Sequence, residues 1–279
     1  MRILLSGDRC LETGARPLLA GILNLSPDSF SGDGGGDWPG RAERLVSDGA
    51  DMLDVGAEST RPGSAGISCE EETAMLVPAI RHLRARFGKD LVISADTRKA
   101  QAAEAALQAG ADIINDISGL GDPGMAETVA RYGAGLVLMH SRGTPETMQT
   151  GENLRYDDVT DDVSRFFEKK LLEAEKAGIR RERVMLDPGI GFAKTVEQNL
   201  TLIRAAGIFR ARFGLPLYYG VSRKSFIGKL TGVDDPAMRD PGTLGVLLYL
   251  AGKGVEILRV HDAAGARAAL KMMEILEKE

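Results

Sequence analysis

The chain has 279 residues, of which 43% are hydrophobic and 27% are charged. That length suits one α/β barrel of roughly 250 residues. No Pro-rich, Ser-rich or highly charged linker divides it, so we expect a single domain over residues 1–279. The formal net charge of −5 at pH 7 argues against a general nucleic-acid binder, because phosphate binding depends on clustered lysine and arginine.

The cysteine content and the hydropathy pattern favour a reducing compartment. Cys10 and Cys69 are the only cysteines, which leaves no zinc pattern and no disulfide framework. No apolar run approaches the ~20 residues of a membrane span, and Met1 leads into a short strand-like run without the apolar core of a signal peptide. We therefore expect a cytoplasmic protein without membrane association.

Short apolar runs alternate along the chain with longer segments of helical periodicity. Most of the runs are continuous rather than alternating, as expected for parallel strands that are buried on both faces. The runs predict strands at residues 18–23, 52–57, 91–95, 113–117, 136–139, 184–186, 215–221 and 255–260. The opening segment, residues 1–5, predicts a small hairpin or lid over the bottom of the structure.

The intervening segments carry helix signals. Ser68 and Glu71 form a capping box before one apolar stripe, in which Pro78 can kink the helix. Further stripes occupy residues 163–174 and 266–276. About eight strand–helix repeats in a chain of this length predict a closed (β/α)8 TIM barrel. The alternative is an open doubly wound sheet, which a GxGxxG turn would favour, and the sequence contains none.

Polar residues lie at the carboxyl ends of the predicted strands, which is where barrel enzymes place their active sites. They are Asn24, Asp54, Glu58, Asp96, Asn115, Asp116, His140, Asp187, Arg259 and His261. A hydroxyl residue followed by arginine also recurs after four strands, as Thr60-Arg61, Thr97-Arg98, Ser141-Arg142 and Ser222-Arg223. With Lys224, Arg259 and His261, these arginines predict a ring of positive charge around the mouth of the barrel. The ring predicts an anionic ligand, since guanidinium groups match carboxylate and phosphate.

Inside this predicted ring, Asp96, Asn115 and Asp187 suit a ligand rich in N–H donors, such as a flat heterocycle with an aminopyrimidinone edge. An alternative for Asp187 is that it only caps the turn that follows it. Met139 and Phe192 can form apolar walls around the ligand or can belong to the core. The Gly-rich segment 31–36 follows the first strand on the same side and is either a mobile lid or an ordinary loop.

Eight segments together resemble the dihydropteroate synthases, which are pterin-binding barrel enzymes. They occur in the family's order and span nearly the whole chain. The segments are GILNLSPDSFSGDGG, DVGAESTRPG, ISADTRK, GADIINDISG, LMHSRGTPETMQ, LDPGIGFAKT, GVSRKSFIG and RVHD. Ala57 and Ser141 depart from the family's commonest pattern.

The resemblance implies a TIM-barrel transferase of folate biosynthesis. It condenses 6-hydroxymethyl-7,8-dihydropterin diphosphate with p-aminobenzoate and releases pyrophosphate. The resemblance also implies Mg²⁺ and a homodimer. By motif, the pterin site comprises Asp96, Asn115, Asp187, Lys224, Met139 and Phe192. The diphosphate site comprises Asn24, Arg61, Arg259 and His261, with Mg²⁺ near Asn24. The p-aminobenzoate site comprises Thr60, Arg61, Pro62 and Ser225. The catalytic residues are Asp96, Lys224, Arg259 and His261.

Other functional classes stay open at this point. One is a methyltetrahydrofolate:corrinoid methyltransferase, whose substrate carries no diphosphate and would not need Arg259, His261 and the SRKS segment together. Another is a pterin-binding paralogue without catalysis, although every anion-site residue is present. A nucleic-acid or protein-interaction module has only the local arginine excess in its favour.

Overall fold

Eight parallel strands form one sheet whose two edges approach each other. The computed structural model describes residues 1–6, 9–14, 16–26, 36–59, 64, 66–144 and 146–277. The strands are β3 (Leu18–Asn24), β4 (Met52–Gly56), β5 (Val92–Asp96), β6 (Ile113–Asp116), β7 (Gly135–Met139), β8 (Val184–Asp187), β9 (Tyr218–Gly220) and β10 (Ile257–Val260). Their order is β8-β7-β6-β5-β4-β3-β10-β9. Leu186 and Leu217 form a parallel bridge between the two edges, which closes the predicted barrel and excludes the open sheet.

Helices follow the strands and cover the outside of the barrel. They are α1 (Trp38–Ser47), α2 (Cys69–Phe87), α3 (Ala100–Ala109), α4 (Met125–Tyr132), α5 (Val159–Lys176), α6 (Val196–Arg204), α7 (Ala206–Phe213), α8 (Ser225–Thr231), α9 (Asp240–Gly252) and α10 (Ala263–Glu277). Short 3₁₀ turns occupy Arg181–Arg183 and Pro236–Arg239. The helices predicted over 163–174 and 266–276 are confirmed as α5 and α10. None of the described helices is long and apolar enough to cross a membrane.

The predicted capping box begins α2. Ser68 Oγ accepts a hydrogen bond from the Glu71 amide at 3.1 Å, and Glu71 Oε2 accepts one from the Ser68 amide at 2.8 Å. The helix then continues through Pro78 to Phe87. Pro78 therefore does not end the helix.

A hairpin closes the bottom of the barrel, as the sequence predicted for the first residues. Strands β1 (Arg2–Leu4) and β2 (Cys10–Glu12) pair in antiparallel register. Ile3 and Leu5 are fully buried against the first inward residues of the barrel strands. The hairpin thus supplies the lowest apolar layer, and polar side chains are confined to the opposite end.

This layer yields a stability prediction. Leu5→Ala should lower the free energy of unfolding by about 2–5 kcal/mol, because a fully buried leucine leaves a cavity that its surroundings fill only partly. Denaturant titration measures the change. Leu172→Ala on α5 is the matched control, since that side chain is 58% exposed and should change stability by less than about 0.5 kcal/mol. Equal effects of the two substitutions would show that the hairpin does not seal the core.

Candidate active site

The side chains predicted from the strand ends face the inside of the barrel. The first inward residues of the strands are apolar and pack on the hairpin, and every second residue along a strand faces the same side. This alternation places six of the predicted residues in the barrel at its carboxyl-terminal end. They are Asn24, Asp96, Asn115, Met139, Asp187 and Arg259.

Asp54 lies at the centre of this group and connects three of its neighbours. Its Oδ1 accepts a hydrogen bond from Ser94 Oγ at 2.6 Å. Its Oδ2 accepts from Asn115 Nδ2 at 3.0 Å and from Arg259 Nε at 2.5 Å. Sequence reasoning gave Asp54 no role, although it stands two residues before the end of β4 and therefore faces inward.

Arg259 bridges Asp54 and Asp96. Its Nη2 donates to Asp96 Oδ2 at 2.9 Å. Burial and the Asp54 charge raise the pKa of Asp96 to about 7, and Arg259 opposes the rise. Burial lowers the pKa of Arg259, but Asp54 and Asp96 outweigh burial and raise it above its ordinary value. The guanidinium is therefore always charged, whereas Asp96 changes its charge near neutral pH.

Asn115 presents an acceptor to the interior of the barrel. Its Nδ2 is held by Asp54, which fixes the orientation of the amide. Its Oδ1 is buried and has no hydrogen-bond partner among the described residues. A buried acceptor without a partner is costly, so this oxygen is placed to receive an N–H group from a ligand.

Asp187 both caps a turn and faces the barrel interior. Its Oδ1 accepts from the Gly189 amide at 2.7 Å, so Asp187 does cap the turn that follows it. Burial raises the pKa of Asp187 to about 6, and Lys224 opposes the rise. Burial in turn lowers the pKa of Lys224 to about 8, and Asp187 opposes that change. The opposite charges of the two side chains thus stabilise each other at one side of the site.

Phe192 and Lys224 lie against each other beside Asp187. Lys224 Nζ is 4.5 Å from the centroid of the Phe192 ring, within the range of a cation–π contact, and it donates to the Ile190 carbonyl. A Cβ at Gly191 would come within 2.9 Å of Lys224 Cδ, and Gly191 has a φ of +83°. The close approach therefore requires glycine at this position.

The rim of the site carries Asn24, Ser225 and His261. Ser222 Oγ lies 2.9 Å from His261 Nδ1 and accepts from the His261 amide at 3.2 Å. Ser225 is exposed at the first position of α8. Asn24 is half-buried at the end of β3, which pairs directly with the strand that leads to His261. Asn24 and His261 therefore lie on neighbouring strands at the same end.

Three arginines of the predicted ring of positive charge have partners within the protein. Arg98 pairs with Glu58 at 3.0 Å, and Arg223 pairs with Asp240 at 2.7 Å. Arg142 donates to the Arg155 carbonyl at 2.6 Å and stacks on a tyrosine ring. Each guanidinium has a partner within the protein, as Arg259 does, so each of the three residues has a structural contact of its own.

Several of the residues predicted for the site lie outside the described part of the chain. They are Thr60, Arg61 and Pro62 of the expected p-aminobenzoate site, and residues 31–35 of the expected lid.

Residues 20–261 match the family model described as pterin binding enzyme. The dihydropteroate synthase of Escherichia coli is 41% identical over 265 residues, which cover 93% of this chain and 92% of that protein. The corresponding protein of Neisseria meningitidis serogroup C is 43% identical over 269 residues, with 94% and 93% covered.

Solved structures agree with these relatives. The Yersinia pestis dihydropteroate synthase, in a sulfonamide drug complex, superposes with a TM-score of 0.93 at 38% identity over 100% of both chains. The Xanthomonas albilineans dihydropteroate synthase, in complex with 7,8-dihydropteroate, superposes with a TM-score of 0.85 at 35% identity over 97% of each chain.

The chain therefore belongs to the pterin-binding enzymes, and within that family to the dihydropteroate synthases. The resemblance in the sequence is confirmed, together with its implication of a transferase.

Asp187→Asn should weaken the binding of a pterin and reduce its pH dependence. A carboxylate that accepts charge-assisted hydrogen bonds contributes about 1.5–3 kcal/mol. With a pKa of about 6, Asp187 becomes protonated below that pH, so pterin affinity should fall there in the unaltered protein. Calorimetric titration above and below the pKa measures both effects.

Asp116→Asn is the matched control for this substitution. Asp116 is also buried and caps a turn through Ser118 and Leu120, but it lies on the outward face of β6. Asp116→Asn should lower the free energy of unfolding while leaving pterin affinity unchanged. A folded Asp187→Asn variant with full pterin affinity would contradict a role in pterin binding and leave Asp187 only the capping of its turn.

Proposed function

We propose that the chain condenses 6-hydroxymethyl-7,8-dihydropterin diphosphate with p-aminobenzoate, giving 7,8-dihydropteroate and pyrophosphate. The observation that carries this proposal is the cluster of buried acceptors at the barrel mouth, in which Asn115 Oδ1 has no partner among the described residues. Two solved Xanthomonas albilineans relatives hold 4-aminobenzoic acid and 7,8-dihydropteroate respectively. Those ligands are the second substrate and the product of the proposed reaction.

The pterin is recognised by its edge and by its faces. Asp187 accepts the paired N–H donors of the aminopyrimidinone edge, and Asn115 Oδ1 accepts a further N–H group. Lys224 supplies a donor from the opposite side of Asp187. Met139 and Phe192 form the apolar walls, which suits a flat heterocycle because the inward face of β7 is apolar at that point.

The reaction breaks the C–O bond between the pterin methylene and the diphosphate. The p-aminobenzoate nitrogen forms the new bond to that carbon and loses a proton. Positive charge develops on the methylene, and ionised Asp96 stabilises it. Arg259 and His261, with Arg61, stabilise the negative charge on the leaving diphosphate. Arg259 remains anchored by Asp54 and Asp96, so its position is fixed before the substrate arrives.

We propose Mg²⁺ as the cofactor, near Asn24 at the rim. Mg²⁺ keeps several waters and binds substrate phosphates through oxygen ligands, and the side-chain carbonyl of Asn24 can supply such an oxygen. When bound, the ion neutralises charge on the diphosphate. Asn24 would hold it from the end of β3.

The p-aminobenzoate site is assigned to Thr60, Arg61, Pro62 and Ser225. Ser225 is exposed beside Lys224 at the start of α8, where its hydroxyl can donate to a carboxylate. A sulfonamide drug, as present in the Yersinia pestis relative, would occupy the same site. We further propose a single domain over residues 1–279 and a cytoplasmic location, where Cys10 and Cys69 stay reduced.

A coupled assay for pyrophosphate release tests the function. Release from dihydropterin diphosphate should require p-aminobenzoate and a divalent cation, with 7,8-dihydropteroate as the second product. A chelator should abolish release, and added Mg²⁺ should restore it. Pterin binding without pyrophosphate release under these conditions would identify a binding paralogue instead.

His261→Ala separates leaving-group contacts from pterin contacts in this assay. It should raise the KM for the diphosphate substrate and slow release, while affinity for a pterin without phosphate stays unchanged. Arg259→Ala is less informative, because it leaves Asp54 buried without its cation, and removing one partner of a buried pair typically costs about 3–5 kcal/mol.

We also propose a homodimer that forms through α9 and α10. After Asp240, helix α9 carries no charged side chain, and a helix that is apolar all round is normally buried. Tyr249 on α9 and Met272 and Leu276 on α10 are nevertheless exposed, Leu276 to 79%. A second copy of the chain would cover this face.

Tyr249→Glu should convert the dimer to a monomer, because it places a charge in an apolar interface. Light scattering during size-exclusion chromatography measures the mass. Ile208→Glu on α7 introduces the same charge at another exposed apolar residue and should leave the dimer intact. A dimer that survives Tyr249→Glu would contradict this interface.

A further inference from the structure

The loop between β8 and α6 forms one wall of the pterin site and is held by side chains along its length. Five consecutive carbonyl groups, from Ile190 to Lys194, each accept a side-chain hydrogen bond. The donors are Lys224, Gln149, Lys194, Tyr156 and Asn199. Such a loop is ordered before a ligand binds, and Phe192 is carried at its centre.

Lys194 is the least expected of these donors, because it is 3% exposed. Its Nζ donates to the Phe192 carbonyl at 2.8 Å and lies 3.0 Å from His140 Nδ1. His140 is itself 2% exposed at the end of β7. A Cβ at Gly189 would meet the His140 carbonyl at 1.9 Å, which shows how closely the loop approaches this strand end.

The Lys194–His140 pair can hold at most one positive charge, since two cations cannot lie 3.0 Å apart in a buried site. Burial, Lys194 and Arg142 lower the pKa of His140. Burial also lowers the pKa of Lys194 well below its ordinary value, although Asp187 opposes that change. Lys194 Nζ carries hydrogens whether charged or neutral, so it donates to the Phe192 carbonyl and, with His140 neutral, to His140 Nδ1.

We propose that Lys194 is a positioning residue for the pterin: it holds the Phe192 carbonyl and contacts the His140 ring, so that the Phe192 ring faces Lys224. This inference rests on the proposed function of the site. Lys194 acts on the pterin through Phe192, whose carbonyl it holds.

A purely structural role does not account for the chemistry of Lys194. Burying an ammonium group is costly, and a methionine of similar length would fill the same space without that cost. The lysine instead meets two acceptors that belong to the pterin wall and to the neighbouring strand end. Its charge also lowers the pKa of Asp187, which is the carboxylate proposed to read the pterin edge.

The charged groups around this pair come from four elements. Lys194 from the loop after β8, Lys224 before α8 and Arg259 on β10 face Asp187. His140 and Arg142, both after β7, face Lys194 as well. Removing the Lys194 charge leaves the other cations in place, so the pKa of Asp187 should rise and remain below the value for an isolated buried carboxyl group.

Lys194→Met should raise the KM for the diphosphate substrate and the dissociation constant of a phosphate-free pterin on the order of tenfold, the effect of one charge-assisted hydrogen bond. The KM for p-aminobenzoate should stay within about twofold of its original value. The acid limb of pterin binding, which is the fall in affinity at low pH, should move to higher pH. With a higher pKa, Asp187 becomes ionised only at a higher pH. Lys170→Met is the control, since Lys170 donates at 3.0 Å to the carbonyl of Leu120, which is not one of the proposed site residues.

A second pair of variants tests the inference even if Lys194→Met does not fold. His140→Asn keeps an acceptor near the position of Nδ1, and His140→Leu removes it. Pterin affinity should survive in His140→Asn and fall on the order of tenfold in His140→Leu. Equal losses in both variants, or a folded Lys194→Met with unchanged pterin affinity and acid limb, would overturn the inference. Calorimetry with the pterin keeps this result separate from the proposed function, which fails only if the unaltered protein makes no dihydropteroate.

Discussion

The buried contact between Asp54 and Arg259 is the interaction on which the site depends. An aspartate with no exposed surface needs compensation, and Arg259 provides it from a strand 205 positions away in the sequence. Once Arg259 is fixed in this way, it brings Asp96 to a defined position. Asp54 also fixes the Asn115 amide. One buried carboxylate thus orients a cation, a second carboxylate and an amide.

The alternation of strand residues explains why this polar group can exist inside a barrel. The hairpin and the first inward residues seal the lower end with apolar side chains. Two residues further along, the same face carries Asp54, Ser94, Asn115 and Arg259. The polar layer therefore lies between an apolar layer and the open end of the barrel. The apolar layer excludes water from below, which strengthens the electrostatic interactions of the polar layer, and the open end admits a ligand.

The fold could be predicted closely from the sequence because its signals are local. Continuous apolar runs indicated every strand of the barrel, and Ser68 and Glu71 marked the start of α2. The inward strand-end residues Asp96, Asn115 and Asp187 followed from the same reasoning. The pairings of Arg98 and Arg223 were not predicted, because an arginine in the sequence gives no sign of its distant partner, here Glu58 or Asp240.

Asp54, His140 and Lys194 show a second limit of prediction from sequence. Each was visible as a residue type, and Asp54 even had the correct strand parity. Their roles depend on contacts between segments far apart in the chain, such as Lys194 with His140. Local patterns report periodicity and turns, whereas a buried polar network is defined by which strand ends meet. Only closure of the barrel brings those ends together.

The buried carboxyl groups of the site lower the stability of the ligand-free protein. Burial raises the pKa values of Asp96 and Asp187 to about 7 and about 6, above their ordinary value of 3.8. At a pH between the pKa of the unfolded chain and the higher pKa of the folded protein, these groups bind more protons in the native state. The free energy of unfolding therefore falls as the pH rises through this window. At neutral pH Asp187 is ionised, and Asp96 is near its midpoint. A pterin that donates hydrogen bonds to these groups binds only the folded state and offsets the loss. The barrel therefore tolerates two carboxyl groups that lower the stability of the ligand-free protein, because its apolar lower layer and hairpin stabilise the fold.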